Sequence, residues 1–332
     1  LCNFNFTQYD NLVEEEERYQ VFSEYNRTFG NGIDFHIEGL YGYSDVPSWK
    51  TSPSYPPQEL ATQVVLASHP GFQQYMADNP GQFPAGTLAA LFIGRSFGWG
   101  GYPGSDGGPQ EGFRTYESYR VASDLAGQFD NGINWDAALS WSTTEGERVT
   151  NDTYIAGFTA ALNGFGVCTD PITGNDPATG TQPYAAGYAG SLTAGAGGCE
   201  YYNPFSNAIA ANGITGVANP SYVPGLENTE TLADWLTDGV GTTVTTDLLV
   251  FDASMSGMSG IQAAGGEVGW GVGMQVRREG YEVVPNDVTN LTLNPGPGGT
   301  GPFSFLAGTT PVDEDQTIYA VFGELQVPLY ED

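Results

Sequence analysis

The chain has 332 residues, 40% of them hydrophobic and only 14% charged, and its 39 acidic against nine basic side chains give a formal net charge of -30. So few cations leave no electrostatic footprint for nucleic acid, and an anionic lipid surface would repel the chain. The 47 Gly and 21 Pro favour turns and irregular connections over helices, and no stretch approaches the roughly eighteen consecutive apolar residues of a transmembrane helix.

Glu14, Glu15, Glu16 and Glu17 form a like-charge run, read here as a solvated rim beside the first strand. That strand sets Tyr19, Val21, Ser23, Tyr25 and Phe29 against Gln20, Glu24, Asn26 and Thr28. Gly30, Asn31 and Gly32 then supply a turn that accepts positive φ. From Ile33 to Tyr43 the pattern is clearest: Ile33, Phe35, Ile37, Gly39, Tyr41 and Tyr43 share one face, and Asp34, His36, Glu38, Leu40 and Gly42 the other. A period of two is a strand signature. Residues 44–111 carry no such alternation. Next, Tyr119, Val121, Leu125 and Phe129 oppose Arg120, Asp124 and Gln128, and Asp130, Asn131 and Gly132 make a second turn of the same kind. Ile133, Trp135, Ala137, Leu139 and Trp141 follow, against Asn134, Asp136, Ser140 and Ser142. A long segment rich in Gly, Thr, Ala and Pro, 146–243, precedes Leu249, Phe251, Ala253 and Met255, with a third turn predicted from Gly257 to Gly260. Val268, Trp270, Val272, Met274 and Val276 then alternate with Gly269, Gly271, Gly273, Gln275 and Arg277. After a third long segment, 281–316, the last strand sets Tyr319, Val321, Gly323, Leu325 and Val327 against Ala320, Phe322, Glu324 and Gln326, and stops at Pro328.

Roughly seven strands of roughly ten to fifteen residues result, longer than the mode in soluble sheets and sufficient for a tilted membrane crossing. Short and very long connections take strict turns, as in outer-membrane barrels, where short turns face the periplasm and long loops face outward. The expected fold is all-β: an antiparallel up-and-down transmembrane β-barrel, present as a fragment of about seven strands with long extracellular loops. Tyr41, Tyr43 and Trp141 are expected at the long-loop side, and Phe29, Phe35, Phe129 and Trp135 near the turns, as two aromatic belts. The first residue is Leu1, with no export leader ahead of the first strand, and the chain closes directly after a strand at Leu329, Tyr330, Glu331 and Asp332. The expectation is therefore a piece, 1–332, of a longer barrel domain, cut at both ends.

Cys168 and Cys199 both lie in the second long segment, where a disulfide would pin an otherwise floppy loop, and Cys2 is left over. No close Cys or His spacing accompanies them, and only His36 and His69 exist, so no metal site is expected. There is no nucleophile elbow, phosphate-cradling loop or paired-histidine signature, so no catalytic residue and no cofactor is assigned, and the chain is read as not an enzyme. Asp170, Asn175 and Asp176 lack calcium-loop spacing and read as a turn. His36, between Asp34 and Glu38, reads as a polar residue facing a lumen.

Cys199, Glu200, Tyr201, Tyr202 and Asn203, Pro204, Phe205, Ser206, with Gly216, Val217, Ala218, Asn219, Pro220 and the later Trp235 and Leu236, resemble the long extracellular loop of TonB-dependent outer-membrane receptors. Gly265, Gly266, Glu267, Val268, Gly269 with Gly273, Met274, Gln275, Val276, Arg277 resemble the barrel strand that follows it, and the run from Tyr319 to Leu329 resembles a recurrent strand ending of that family. The resemblance spans essentially the whole chain. It implies a bacterial outer-membrane transporter for energy-coupled uptake of a scarce nutrient, such as a siderophore or an oligosaccharide. Its partners would be outer-membrane lipid, the nutrient ligand and the TonB complex, the last reached through an N-terminal plug. Such barrels hold ligand through loops and inward wall residues, which by orientation points to Arg114, Tyr116, Arg120, Asp124, Arg277 and Glu324. A secreted β-rich adhesin or carbohydrate-binding protein is the competing expectation, and would bury the apolar stripe in its own core. A plugless diffusion porin is a third.

Overall fold

A computed structural model of the protein describes residues 6–51, 63–92, 96–104 and 110–330. Cys2 lies outside them. In chain order the strands are β1 Glu17–Thr28, β2 Asp34–Thr51, β3 Gln63–Leu66, β4 Ala89–Phe92, β5 Gln110–Gln128, β6 Asn134–Thr153, β7 Thr237–Ala263, β8 Gly266–Pro285 and β9 Val312–Gln326. Three α-helices, α1 Pro70–Asp78, α2 Ile155–Leu162 and α3 Glu230–Leu236, lie between them. All strands except β3 and β4 join one antiparallel sheet of seven strands in the order β1-β2-β5-β6-β7-β8-β9, while β3 and β4 pair with each other. Each strand of the large sheet thus pairs with its neighbours in sequence. The sheet is open, since among the described residues β1 and β9 have no partner on their outer edges, and these strands do not close a barrel.

Two of the predicted turns have the same construction. Phe29 N–H donates to Ile33 O at 2.8 Å and Gly32 N–H to Phe29 O at 2.9 Å, and the equivalents, Phe129 to Ile133 and Gly132 to Phe129, are both 2.9 Å. Gly32 and Gly132 take positive φ, at 77° and 84°, which closes a three-residue loop at no steric cost. The third turn is not at Gly257–Gly260. The β7–β8 ladder continues past it to Ala263 and Gly266, and turns at Ala264 and Gly265. Between Met258 and Gln262 the register shifts, Gly260 has φ 76°, and its N–H donates to Glu267 Oε1 at 2.6 Å. The glycine marks a bulge, which makes the same demand for positive φ as a turn.

The strands are also longer than expected, with 19, 20, 27 and 20 residues in β5 to β8. They run on through stretches that are polar on both faces, such as 143–153, where alternation gives no signal.

The largest fully buried side chains, Tyr202, Phe72, Phe158, Leu162, Leu232, Leu236 and His69, all belong to the long connections, not to the sheet. By contrast every residue of β1 is exposed. The described residues of the three connections on the side opposite the tight turns therefore are not the irregular loops expected from sequence. They fold together as a cap with its own core, in which Phe72 and Phe92 of the first connection meet Phe158, Tyr202, Leu232 and Leu236 of the second. The third docks through Phe303, stacked on Tyr154 with ring centroids 4.9 Å apart. Local signals explain the helices: His69 caps α1, with Pro70 at the first turn, and Thr229 Oγ1 accepts from Leu232 N–H at 3.0 Å to cap α3.

Candidate functional site

Register carries the apolar face of each strand into continuous rows. One row is Tyr25, Ile37, Ser123, Leu139, Phe251, Val276 and Tyr319, and the next is Arg27, Phe35, Leu125, Ala137, Ala253, Met274 and Val321. No layer covers them: Val21 is 61% exposed, Leu139 49%, Met274 42% and Val321 85%. From Tyr119 to Phe129 this apolar band covers about 33 Å of strand at about 3.3 Å per residue.

Aromatic pairs bound the band on both sides. Towards the cap, Tyr19 stacks on Tyr43 at 6.1 Å and Tyr41 lies against Tyr119 at 5.1 Å. Near the turns, Phe29 meets Phe35 at 6.4 Å and Phe129 meets Trp135 at 6.0 Å. The tyrosine hydroxyls point out of the band towards the cap: Tyr19 donates to Glu17 at 3.0 Å, and Tyr41 and Tyr119 both donate to Glu117, at 2.9 and 2.6 Å. Each ring thus keeps its body in the apolar zone and its polar tip beyond the edge.

The opposite face is polar and small. It holds every residue picked out for ligand contact, namely Arg114, Tyr116, Arg120 and Asp124 on β5, Arg277 on β8 and Glu324 on β9. They share the face but do not converge, since β6 and β7 separate β5 from β8. Arg120 is ion-paired with Glu38, Asp124 Oδ1 lies 2.8 Å from His36 Nδ1, and Arg277 is 2.8 Å from Glu279. Cross-strand hydrogen bonds add Gln275 to Asp252 at 2.8 Å and Ser254 to Asp136. The polar side chains thus largely satisfy one another along the wall.

In the cap, Cys168 and Cys199 are bonded, with Cα atoms 4.8 Å apart, as the sequence reading expected. The nearby acids serve turns: Asp170 accepts from Thr173 N–H and Oγ1, both at 2.8 Å, and Asp176 from Ala178 N–H at 2.9 Å and Tyr188 Oη at 2.6 Å. Asp152, buried at the cap end of β6, accepts from Ser304 Oγ at 3.0 Å and from the N–H groups of Phe305 and Leu306 at 2.9 and 2.6 Å, clasping the third connection. Between the first and second connections lies a cavity of about 760 Å³ walled by Phe92, Phe97, Trp99, Tyr202 and Phe205, with Glu227 at its rim. That volume is in the range of small-molecule pockets.

Three contributors escaped the sequence reading. Arg148 and Trp49 lie on the polar face in parts of β6 and β2 beyond the alternating stretches, and Asp152 has no local signal, because its partners are remote in sequence. A longer extrapolation of strand parity from Ser142 would have placed Arg148. No family model matches the sequence, and none of the curated proteins compared with it is similar to it.

Proposed function

We propose that this chain forms part of the wall and outer cap of a bacterial outer-membrane β-barrel that imports a scarce nutrient, in the manner of a TonB-dependent receptor. The observation that carries the reading is the exposed apolar band, about 25 Å tall on the usual strand tilt, bounded by aromatics whose hydroxyls turn out of it. Hydrocarbon would cover that band, and the polar face would line the lumen. In a bilayer no strand edge can stay unpaired, so on this reading further strands flank β1 and β9. The cap, cross-linked by Cys168–Cys199 and holding the aromatic cavity, is suited to catch ligand on the outer side. A secreted adhesin or carbohydrate-binding protein would bury the apolar stripe, and here the stripe exposes large side chains on six of the seven strands, with those of β2 half-buried.

The test is fractionation and solubility. The protein, expressed with an export signal, should sediment with outer membranes and require detergent for extraction. Nutrient uptake through it should collapse when a protonophore discharges the inner membrane. A monodisperse protein in detergent-free buffer would reject the membrane reading, and uptake insensitive to the protonophore would reject energy coupling.

A further inference from the structure

Arg114 and Arg148 stand directly opposite each other in the β5–β6 register, on the polar face close beneath the cap. Like charges in direct cross-strand contact are destabilising. Among the described residues Arg18, Lys50, Arg120, Arg277 and Arg278 each sit in an ion pair, whereas Arg27, which lies over Phe29, and Arg114 and Arg148 do not, and of these three only Arg114 and Arg148 stand opposite each other. That is unexpected in a chain with 39 carboxylates. The carboxylate whose charge Arg114 feels, Glu16, is taken by Arg18 and Ser44, each at 2.6 Å. The two guanidiniums are instead gathered around the Trp49 ring, at 4.8 Å for Arg148 and 6.0 Å for Arg114. The hydroxyls of Thr150, on the strand of Arg148, and Ser48, next to Trp49 on β2, are buried without a hydrogen-bond partner. In the adjacent row the half-exposed ring of Tyr116 lies over Gly146, where a side chain would collide with it at 2.8 Å.

We infer that Arg114 and Arg148 form a clamp for a small oxyanion, a carboxylate or phosphate group carried by the transported ligand. Two adjacent guanidinium forks with free donors match the two oxygens of such a group, and its negative charge would relieve their mutual repulsion. The net charge of the chain does not forbid this, because carboxylates farther than a Debye length of about 8 Å are screened at physiological salt. Trp49 holds both side chains in place, and Tyr116 offers a ring surface beside the anion. The inference deepens the transport reading and rests on it for its physiological meaning, but binding and membrane location are measured separately, so either can fail alone.

Calorimetric titration of the protein in detergent micelles, at fixed ionic strength, with citrate, inorganic phosphate and neutral glucose tests it. Citrate, phosphate or both should bind, and whichever binds assigns the group. Arg114→Gln and Arg148→Gln should each weaken that binding roughly ten- to hundredfold, the range for losing hydrogen bonds to a charged group. Arg148→Lys should recover part of it, since charge is kept and the fork is lost. Arg278→Gln, at a cation already paired with Asp315 and outside the clamp, should leave it unchanged. Because the two substitutions to Gln remove a repulsion, neither should lower the thermal midpoint, which separates loss of binding from loss of fold. Absence of oxyanion binding, or equal weakening by Arg278→Gln, would overturn the clamp.

Discussion

His69 holds two of the long connections together and can do so in only one protonation state. Its Nε2–H donates to Tyr202 O at 2.9 Å across the cap core, while Nδ1 accepts from Phe72 N–H at 3.4 Å as the cap of α1. The ring is buried between Tyr201, at 4.9 Å, and Phe205, at 6.3 Å. Burial pushes its pKa below the ordinary value, and a second proton would have to sit on Nδ1, facing another N–H. The folded-state pKa is therefore below the value of about 6.5 in the unfolded chain. Below that value the unfolded chain takes up the proton first, so the contribution is complete above pH of about 6.5 and is lost as pH falls through the lower folded-state pKa. Hydrogen exchange in α1 should accelerate as pH drops from about 7 to about 5, after correction for intrinsic rates. In His69→Asn, which keeps a capping oxygen and does not titrate, that dependence should vanish, while cap stability at neutral pH falls by about 1–3 kcal/mol because the buried Tyr202 carbonyl loses its donor. A pH dependence that persists in His69→Asn would move the effect elsewhere.

At the scale of the strand, adjacent residues of β2 meet opposite surroundings. Ile37 lies in the middle row of the apolar band and Glu38 on the polar face against Arg120. Ile37→Arg should destabilise the membrane-inserted protein by about 2–4 kcal/mol near the midplane. Glu38→Arg is a poor comparison, because it would replace an ion pair by repulsion from Arg120. Glu38→Gln is the better one and should cost less than about 1 kcal/mol, since the pair is half-exposed and the amide still accepts a hydrogen bond. Equal costs in a chemical-denaturation series from liposomes would refute the assignment of faces. The same contrast explains what could be read in advance. Period two is local, so the seven strands of the large sheet and their two faces were visible in the residues themselves. The glycine run at Gly257–Gly260 was not decisive, because a bulge and a turn place the same demand on Gly260. The cap was illegible for the opposite reason. Its apolar residues follow no period, and Phe72, Phe158 and Leu232 find one another only after the meander has brought three distant segments to one edge.

For the molecule as a whole, meander order is a statement about sides. Because each strand is antiparallel to the one before it, the turns after β1, β5 and β7 must share one edge of the sheet, and the connections after β2, β6 and β8 the other. On the face that carries the apolar band the carboxylates follow the same division: Glu17, Asp45, Glu117, Glu145, Glu147, Glu282 and Asp313 all lie on the cap side of the aromatic band. A dense field of one sign is tolerable where water and counter-ions reach it, not in hydrocarbon. On the outer-membrane reading the cap therefore faces out of the cell and the tight turns face the periplasm. Single cysteines can report this without disturbing either structure. Ala186 is exposed in the cap, and Asp130 is exposed at the second tight turn; both are better sites than Gly180, whose φ of 67° would strain a side chain, or Asn131, whose Oδ1 accepts from Ile133 N–H at 3.3 Å. In intact cells a membrane-impermeant maleimide should label Ala186→Cys. Asp130→Cys should react only after the outer membrane is permeabilised. The reverse pattern would invert the topology, and labelling of both in intact cells would remove the bilayer from between the two edges and with it the case for a membrane wall.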